Sequence, residues 1–186
     1  MISKPTDWDM YFEYGVDVRN RRVFLIGDVD ETPIGHTIKG LYMLAALSGE
    51  PLELMIGSFG GSEYEMFALY DVIQTLPAPV STVAIGKCMS AAPLLVAAGE
   101  PGLRYSCANT QWMVHMGWGS PVEQRPDELR KLSAHLDLMN TRWYKLMGLH
   151  SNKSAAQWSQ ICRRVGDEYF CAERALELGL IDEIWA

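Results

Sequence analysis

Ser90 and His115 are the two side chains whose surroundings best suit them to catalysis. Ser90 follows Gly86-Lys87-Cys88-Met89, where an apolar run over 80–85 gives way to a helix-forming stretch that ends at Gly99. A hydroxyl at such a junction sits near the positive end of the helix dipole. The next backbone N–H, that of Ala91, is placed to hold a developing oxyanion. This is the logic of a nucleophile elbow, although the G-x-S-x-G pattern itself is absent. His115 closes the run Trp112-Met113-Val114-His115 ahead of Met116-Gly117-Trp118-Gly119, so its imidazole is expected to project from a strand end into a cleft. A neutral imidazole there could act as the base that activates a serine. A second turn, Gly57-Ser58-Phe59-Gly60-Gly61, ends the apolar run 52–56 and offers successive unhindered N–H groups suited to an anion. The chemistry these parts could perform together is acyl transfer.

Each part also has a plain structural use. Serine is a favoured helix N-cap, Gly-Gly is an ordinary turn, and a lone histidine at a strand end is often a packing residue. His36, His135 and His150 fall on or beside predicted helices and read as surface or packing residues. Cys88, Cys107, Cys162 and Cys171 include no C-x-x-C pair, and no H-E-x-x-H is present. Neither a metal site nor a disulfide framework is expected, and a reducing, cytoplasmic setting suits such cysteines.

The elements that must hold these residues alternate. Strands are predicted over 23–26, 52–56, 80–85, 103–107, 112–115 and 181–184. Thr32-Pro33 opens a helix that Ser48-Gly49 stops, and Ser62-Glu63-Tyr64-Glu65 has the form of a capping box opening a helix to about Leu76. Further helices are expected from about Ser90 to Gly99 and over 126–147, 154–164 and 172–178. The rhythm argues for one α/β domain of 186 residues with largely parallel pairing. The first sixteen residues are the least patterned, with neither a secretory signal nor a transit pattern. The net charge of −7 argues against nucleic acid or an anionic membrane as the main partner, and no apolar run is long enough to span a bilayer.

Five segments, in unbroken order over about 20–186, resemble the ClpP-type serine peptidases. Gly86-Lys87-Cys88-Met89-Ser90-Ala91-Ala92-Pro93 resembles their nucleophile segment, and Trp112-Met113-Val114-His115 their histidine segment. Gly57-Ser58-Phe59-Gly60-Gly61-Ser62 is similar to their oxyanion loop, and Arg22-Val23-Phe24-Leu25-Ile26-Gly27 to their first core strand. Gly166-Asp167-Glu168-Tyr169-Phe170, with the stretch from Ala175 to Asp182, resembles their C-terminal segment. The resemblance implies Ser90 as nucleophile, His115 as base and then acid, and Asp167 as the carboxylate that orients the imidazole, with Asp182 its rival. It implies an oxyanion hole from the N–H groups of Gly61 and Ala91, with Gly60 shaping the loop. It implies a crotonase-like spiral of ββα units with a protruding helical handle at about 118–150 and a divergent N-terminal segment at 1–17. Heptameric rings stacked as a tetradecamer, unfolded polypeptide substrates, short peptides, a Clp-type AAA+ ATPase partner and no cofactor are implied as well.

The sequence departs from the family in three places. Phe59 stands where the family usually has proline, which would pre-form the turn, so a looser oxyanion loop is expected. The N-terminus does not resemble the family's axial loop, and Met116-Gly117-Trp118-Gly119 replaces a polar, proline-containing run. The other expectations compatible with the motifs are a phage head-maturation protease of the same fold and a non-catalytic ring subunit. A crotonase-type acyl-CoA hydratase would not need serine, histidine and aspartate at these three places.

Overall fold

The computed structural model describes residues 6–117 and 125–186. From the N-terminus the elements are α1 (Asp7–Tyr14), β1 (Val16–Asp17), β2 (Arg22–Ile26), α2 (Glu31–Leu47), β3 (Leu52–Ser58), α3 (Glu63–Thr75) and β4 (Val80–Met89). They continue as α4 (Ala92–Ala97), β5 (Arg104–Cys107), β6 (Gln111–Val114), α5 (Pro126–Leu149), α6 (Ala155–Val165), β7 (Glu168–Phe170), α7 (Ala172–Leu178) and β8 (Glu183–Trp185). This is the α/β alternation that the sequence predicts.

Val23 and Leu25 of β2 turn into the core while their neighbours do not, the period of two that a pleated strand imposes. β3 and β4 are buried over much of their length, as parallel strands covered on both faces are. The main sheet runs in the order β1-β2-β3-β4-β5-β8. Its pairings are parallel except for β1 on β2. Helix α2 buries Ile34, Leu41 and Leu44, and α3 buries Met66, Leu69 and Ile73. All six residues of α4 are buried, so the helix behind the nucleophile is fixed on every side.

β4 forks the sheet. Thr82, Val83 and Ala84 pair with β5, whereas Lys87, Cys88 and Met89 pair with β6. Between the two halves Gly86 has φ +63°, and the register to β3 shifts between Ile56 and Ser58. The sequence reading stops this strand at Gly86. The strand instead continues to Met89, because glycine adopts the left-handed conformation of a bulge and β6 supplies new partners beyond it. The following helix starts at Ala92 rather than near Ser90.

Three further elements depart from the sequence reading. α1 occupies the segment read as unpatterned; Thr6 and Asp9 form a capping box, yet none of its residues is buried, so no apolar stripe announces it. β1 adds two residues antiparallel to β2, and β7 is a short strand antiparallel to β6. In α5, Met139, Trp143 and Met147 are buried, while Leu129 and Leu138 are exposed. This helix therefore meets the core only through its C-terminal half. Residues 118–124, the first part of the expected handle region and including Trp118 and Gly119, lie outside the described residues.

Candidate active site

The register of two ladders brings the candidate residues together. In the parallel ladder of β4 and β6, Met89 stands beside Met113, and the Ser90 N–H donates to the Met113 carbonyl at 2.9 Å. The chains leave the ladder side by side, with Ser90 on one and His115 on the other. In the antiparallel ladder of β6 and β7, Val114 faces Glu168. One step further along the same register, His115 faces Asp167. A serine, a histidine and an aspartate far apart in sequence thus meet at the shared end of three strands.

Ser90 Oγ lies 2.7 Å from His115 Nε2, within hydrogen-bond distance. Ser90 has φ +58°, a rare conformation for a residue with a side chain. It is not the cap of α4: the N-cap is Ala91, and no side chain caps the helix. The N-cap use of Ser90 is therefore set aside. His115 Nδ1 lies 3.4 Å from Asp167 Oδ1, with the imidazole mostly buried and the carboxylate about half exposed. A charged N–H···O bond is about 2.7–2.9 Å long, so these groups face each other without a tight bond. Catalytic hydrogen bonds are often long before substrate binds.

The glycine turn after β3 lies against this pair. A Cβ at Gly60 would stand 2.5 Å from Ser90 Cβ and 2.8 Å from the Met89 carbonyl, and Gly60 has φ +99°. Only glycine fits both the space and the backbone. Val29 holds the turn from the other side: its N–H donates to the Gly60 carbonyl at 2.8 Å, and its carbonyl accepts from Ser62 N–H at 2.7 Å. The buried Ser58 hydroxyl accepts from Gly60 N–H at 3.0 Å. The turn is closed by these bonds without a proline at 59. Lys87 Nζ lies 3.8 Å from the centre of the Phe59 ring, a cation–π contact. Among the described residues, the N–H groups of Gly61 and Ala91 have no hydrogen-bond partner.

Ser90 and His115 open onto a cleft of about 500 Å³. Its walls include Met66, Met113, Leu136 and Trp143, together with Glu63 and Asn140. Asn140 is buried. It accepts from Gly117 N–H at 2.8 Å and donates to the Gly117 carbonyl at 3.3 Å, fixing the backbone just beyond His115 to α5. Sequence reading passes over Val29, Glu63 and Asn140, because each sits in an ordinary loop or helix pattern. The one legible signal was the position of Glu63, two residues after Gly61.

The remaining candidates lie elsewhere. Asp182 binds Arg104 through Nη2 at 2.5 Å and Nε at 2.9 Å, and accepts from Gly102 N–H at 2.8 Å. Burial works to raise its carboxyl, but the hydrogen bonds and charge of Arg104 prevail and hold it below its usual range. His135 bonds Tyr64, His150 bonds Tyr70, and the His36 ring meets Tyr14 edge-on, as packing histidines do. Burial pushes the Cys88 thiol well above its usual range and Cys162 up to about 12, so neither is an activated nucleophile. Among the described residues no group of three metal-ligating side chains occurs, and no helix is long and apolar enough to cross a membrane.

The Clp protease family model matches residues 7–186. The ATP-dependent Clp protease proteolytic subunit 2 of Thermobifida fusca is 33% identical over 168 residues, covering 90% of this chain and 81% of that protein. Proteolytic subunit 1 of Tropheryma whipplei is 32% identical over 174 residues, covering 89% of this chain and 80% of its own. Proteolytic subunit 1 of Salinibacter ruber is 29% identical over 190 aligned positions, covering 99% of this chain and 78% of its own. A match along nearly the whole chain, on the fold and elbow described above, makes this protein a member of the Clp protease family, a family of serine peptidases.

Proposed function

We propose that this chain is the proteolytic subunit of a Clp-type protease in which Ser90, His115 and Asp167 form the catalytic triad. The observation that carries the reading is the 2.7 Å contact between Ser90 Oγ and His115 Nε2 at a left-handed elbow, beside two N–H groups with no partner among the described residues. As Ser90 Oγ attacks the scissile carbonyl, its proton passes to His115 Nε2. The carbonyl oxygen becomes an oxyanion that the N–H groups of Gly61 and Ala91 receive. Asp167 faces the other ring nitrogen, orients the ring and offsets the charge of the imidazolium. His115 then gives its proton to the departing amine, leaving an acyl group on Ser90 Oγ. Water, deprotonated by His115, attacks that ester; the acid product leaves and Ser90 regains its proton. No cofactor is required.

The 186 residues act as one peptidase domain, with 1–17 as its divergent N-terminal segment and 118–150 as the handle. The family supports stacked heptameric rings that enclose a chamber, unfolded polypeptides and short peptides as substrates, and a Clp-type AAA+ ATPase as partner. The exposed Leu129 and Leu138 of α5 support its use in ring stacking. The free cysteines support a cytoplasmic setting. A fluorophosphonate probe followed by peptide mapping tests the reading. Labelling is expected on Ser90 and absent from Ser90→Ala, whose peptide turnover falls by up to about a millionfold. An unlabelled Ser90, or turnover near wild type in the variant, overturns it.

A further inference from the structure

Glu63 opens α3 and stands in the wall of the cleft that holds Ser90 and His115. Most of that wall is apolar: Met66, Met113, Leu136 and Trp143. The Glu63 carboxylate lies directly against the Cα of Gly117, so closely that any side chain at 117 would collide with it. Burial pushes its carboxyl above the usual range, opposed by the charge of His135. Among the described residues, Glu63 forms neither an ion pair nor a side-chain hydrogen bond. His135, whose charge reaches Glu63, is hydrogen-bonded to Tyr64 and not to the carboxylate.

A half-buried carboxylate in an apolar cleft, with no partner among the described residues, is poorly stabilised in its charged form, and a bound molecule of opposite charge would stabilise it. We infer that Glu63 selects substrates whose residue bearing the scissile carbonyl is lysine or arginine. This rests on the peptidase assignment above. In the acyl-enzyme that residue is bonded to Ser90, and its carbonyl oxygen meets the N–H of Gly61. Glu63 follows Gly61 by two residues, so the side chain of the acyl residue is the one that enters beside the first turn of α3. Lysine and arginine match the cleft along their length, because their methylene stems suit apolar walls while their heads seek a carboxylate.

The test compares kcat/KM for fluorogenic peptides that differ only at this residue: lysine, arginine and norleucine, the last being lysine-like in length but neutral. Wild-type protein is expected to favour the basic peptides by about tenfold or more, the scale of a close charge pair. In Glu63→Gln, which keeps the shape, that ratio is expected to collapse toward one while norleucine turnover stays within a few-fold. A wild-type preference for norleucine overturns the inference without needing the variant. An unchanged ratio in Glu63→Gln overturns the role of Glu63. Failure to cleave any peptide, with Ser90 unlabelled by fluorophosphonate, overturns the peptidase assignment and the inference with it. Labelling of Ser90 with cleavage of norleucine alone overturns only the inference.

Discussion

Replacing Gly60 with alanine asks whether the glycine turn is an oxyanion loop or only a bend. The added Cβ would stand 2.5 Å from Ser90 Cβ and 2.9 Å from Ala91 N. Carbon atoms in contact settle at about 3.5–4.0 Å, so the loop or the elbow must move by roughly 1 Å. Oxyanion donors work over about 2.7–3.1 Å, and losing one costs about 10²- to 10³-fold in kcat. A shift of that size takes Gly61 N–H or Ala91 N–H out of range. The left-handed backbone at 60 adds a stability cost of about 1–2 kcal/mol, or about 2–8 °C in Tm for a chain of this length. The expected result is a folded protein, slightly less heat-stable, with kcat for a short fluorogenic peptide reduced at least about 100-fold. Circular dichroism melting beside the peptide assay separates the two effects. A folded Gly60→Ala protein with kcat within a few-fold of wild type would refute the oxyanion assignment.

The two aspartates should behave oppositely. Asp167→Asn is expected to lower kcat by on the order of 10²- to 10⁴-fold with little change in Tm; a mild kinetic effect would remove Asp167 from the triad. Asp182→Asn should keep peptidase activity at neutral pH but lose about 1–3 kcal/mol of stability, from hydrogen bonds to a charged partner. The Asp182 carboxyl is depressed in the folded state, so its stabilisation is present above the unfolded pKa of about 3.9 and is lost as pH falls through the lower folded value. Melting temperatures measured down the acid range should therefore converge for wild type and Asp182→Asn, and parallel curves would contradict the Arg104 pairing. Leu132→Asp, in the half of α5 that does not reach the core, is expected to halve the assembly mass in sedimentation velocity while the subunit stays folded; unchanged mass would exclude this helix from ring stacking.

The parts legible in the sequence are those set by local pattern. The apolar run of β2, the capping residue Ser62 and the serine after β4 all follow from neighbours within a few positions. Gly86 was misread because a glycine looks the same whether it ends a strand or bends it, and the difference lies in β6, more than twenty residues away. The meeting of His115 with Asp167 was reached only through family resemblance, since nothing local reveals an antiparallel register. α1 escaped because its aromatic residues, Trp8 and Phe12 among them, stay exposed and leave no buried stripe. Glu63 and Asn140 escaped for the opposite reason: each is an unremarkable helix residue until the fold turns it toward the cleft.

The fork at Gly86 divides the molecule into parts of unequal cohesion. The main sheet is held by long parallel ladders over a buried core, whereas Asp167 depends on β7, three residues paired at one edge with β6. Regions with few buried contacts open at lower free energy than the core that carries them. Peeling β7 from β6 would withdraw the carboxylate from His115 while leaving the parallel sheet and the elbow of Ser90 intact. If Asp167 serves in the proposed triad, loss of activity is then expected to precede loss of structure. On gradual warming the chain should become a folded but idle subunit before it melts, and amide exchange at Phe170, which pairs with Trp112, should report the first event and exchange at Leu54 the second.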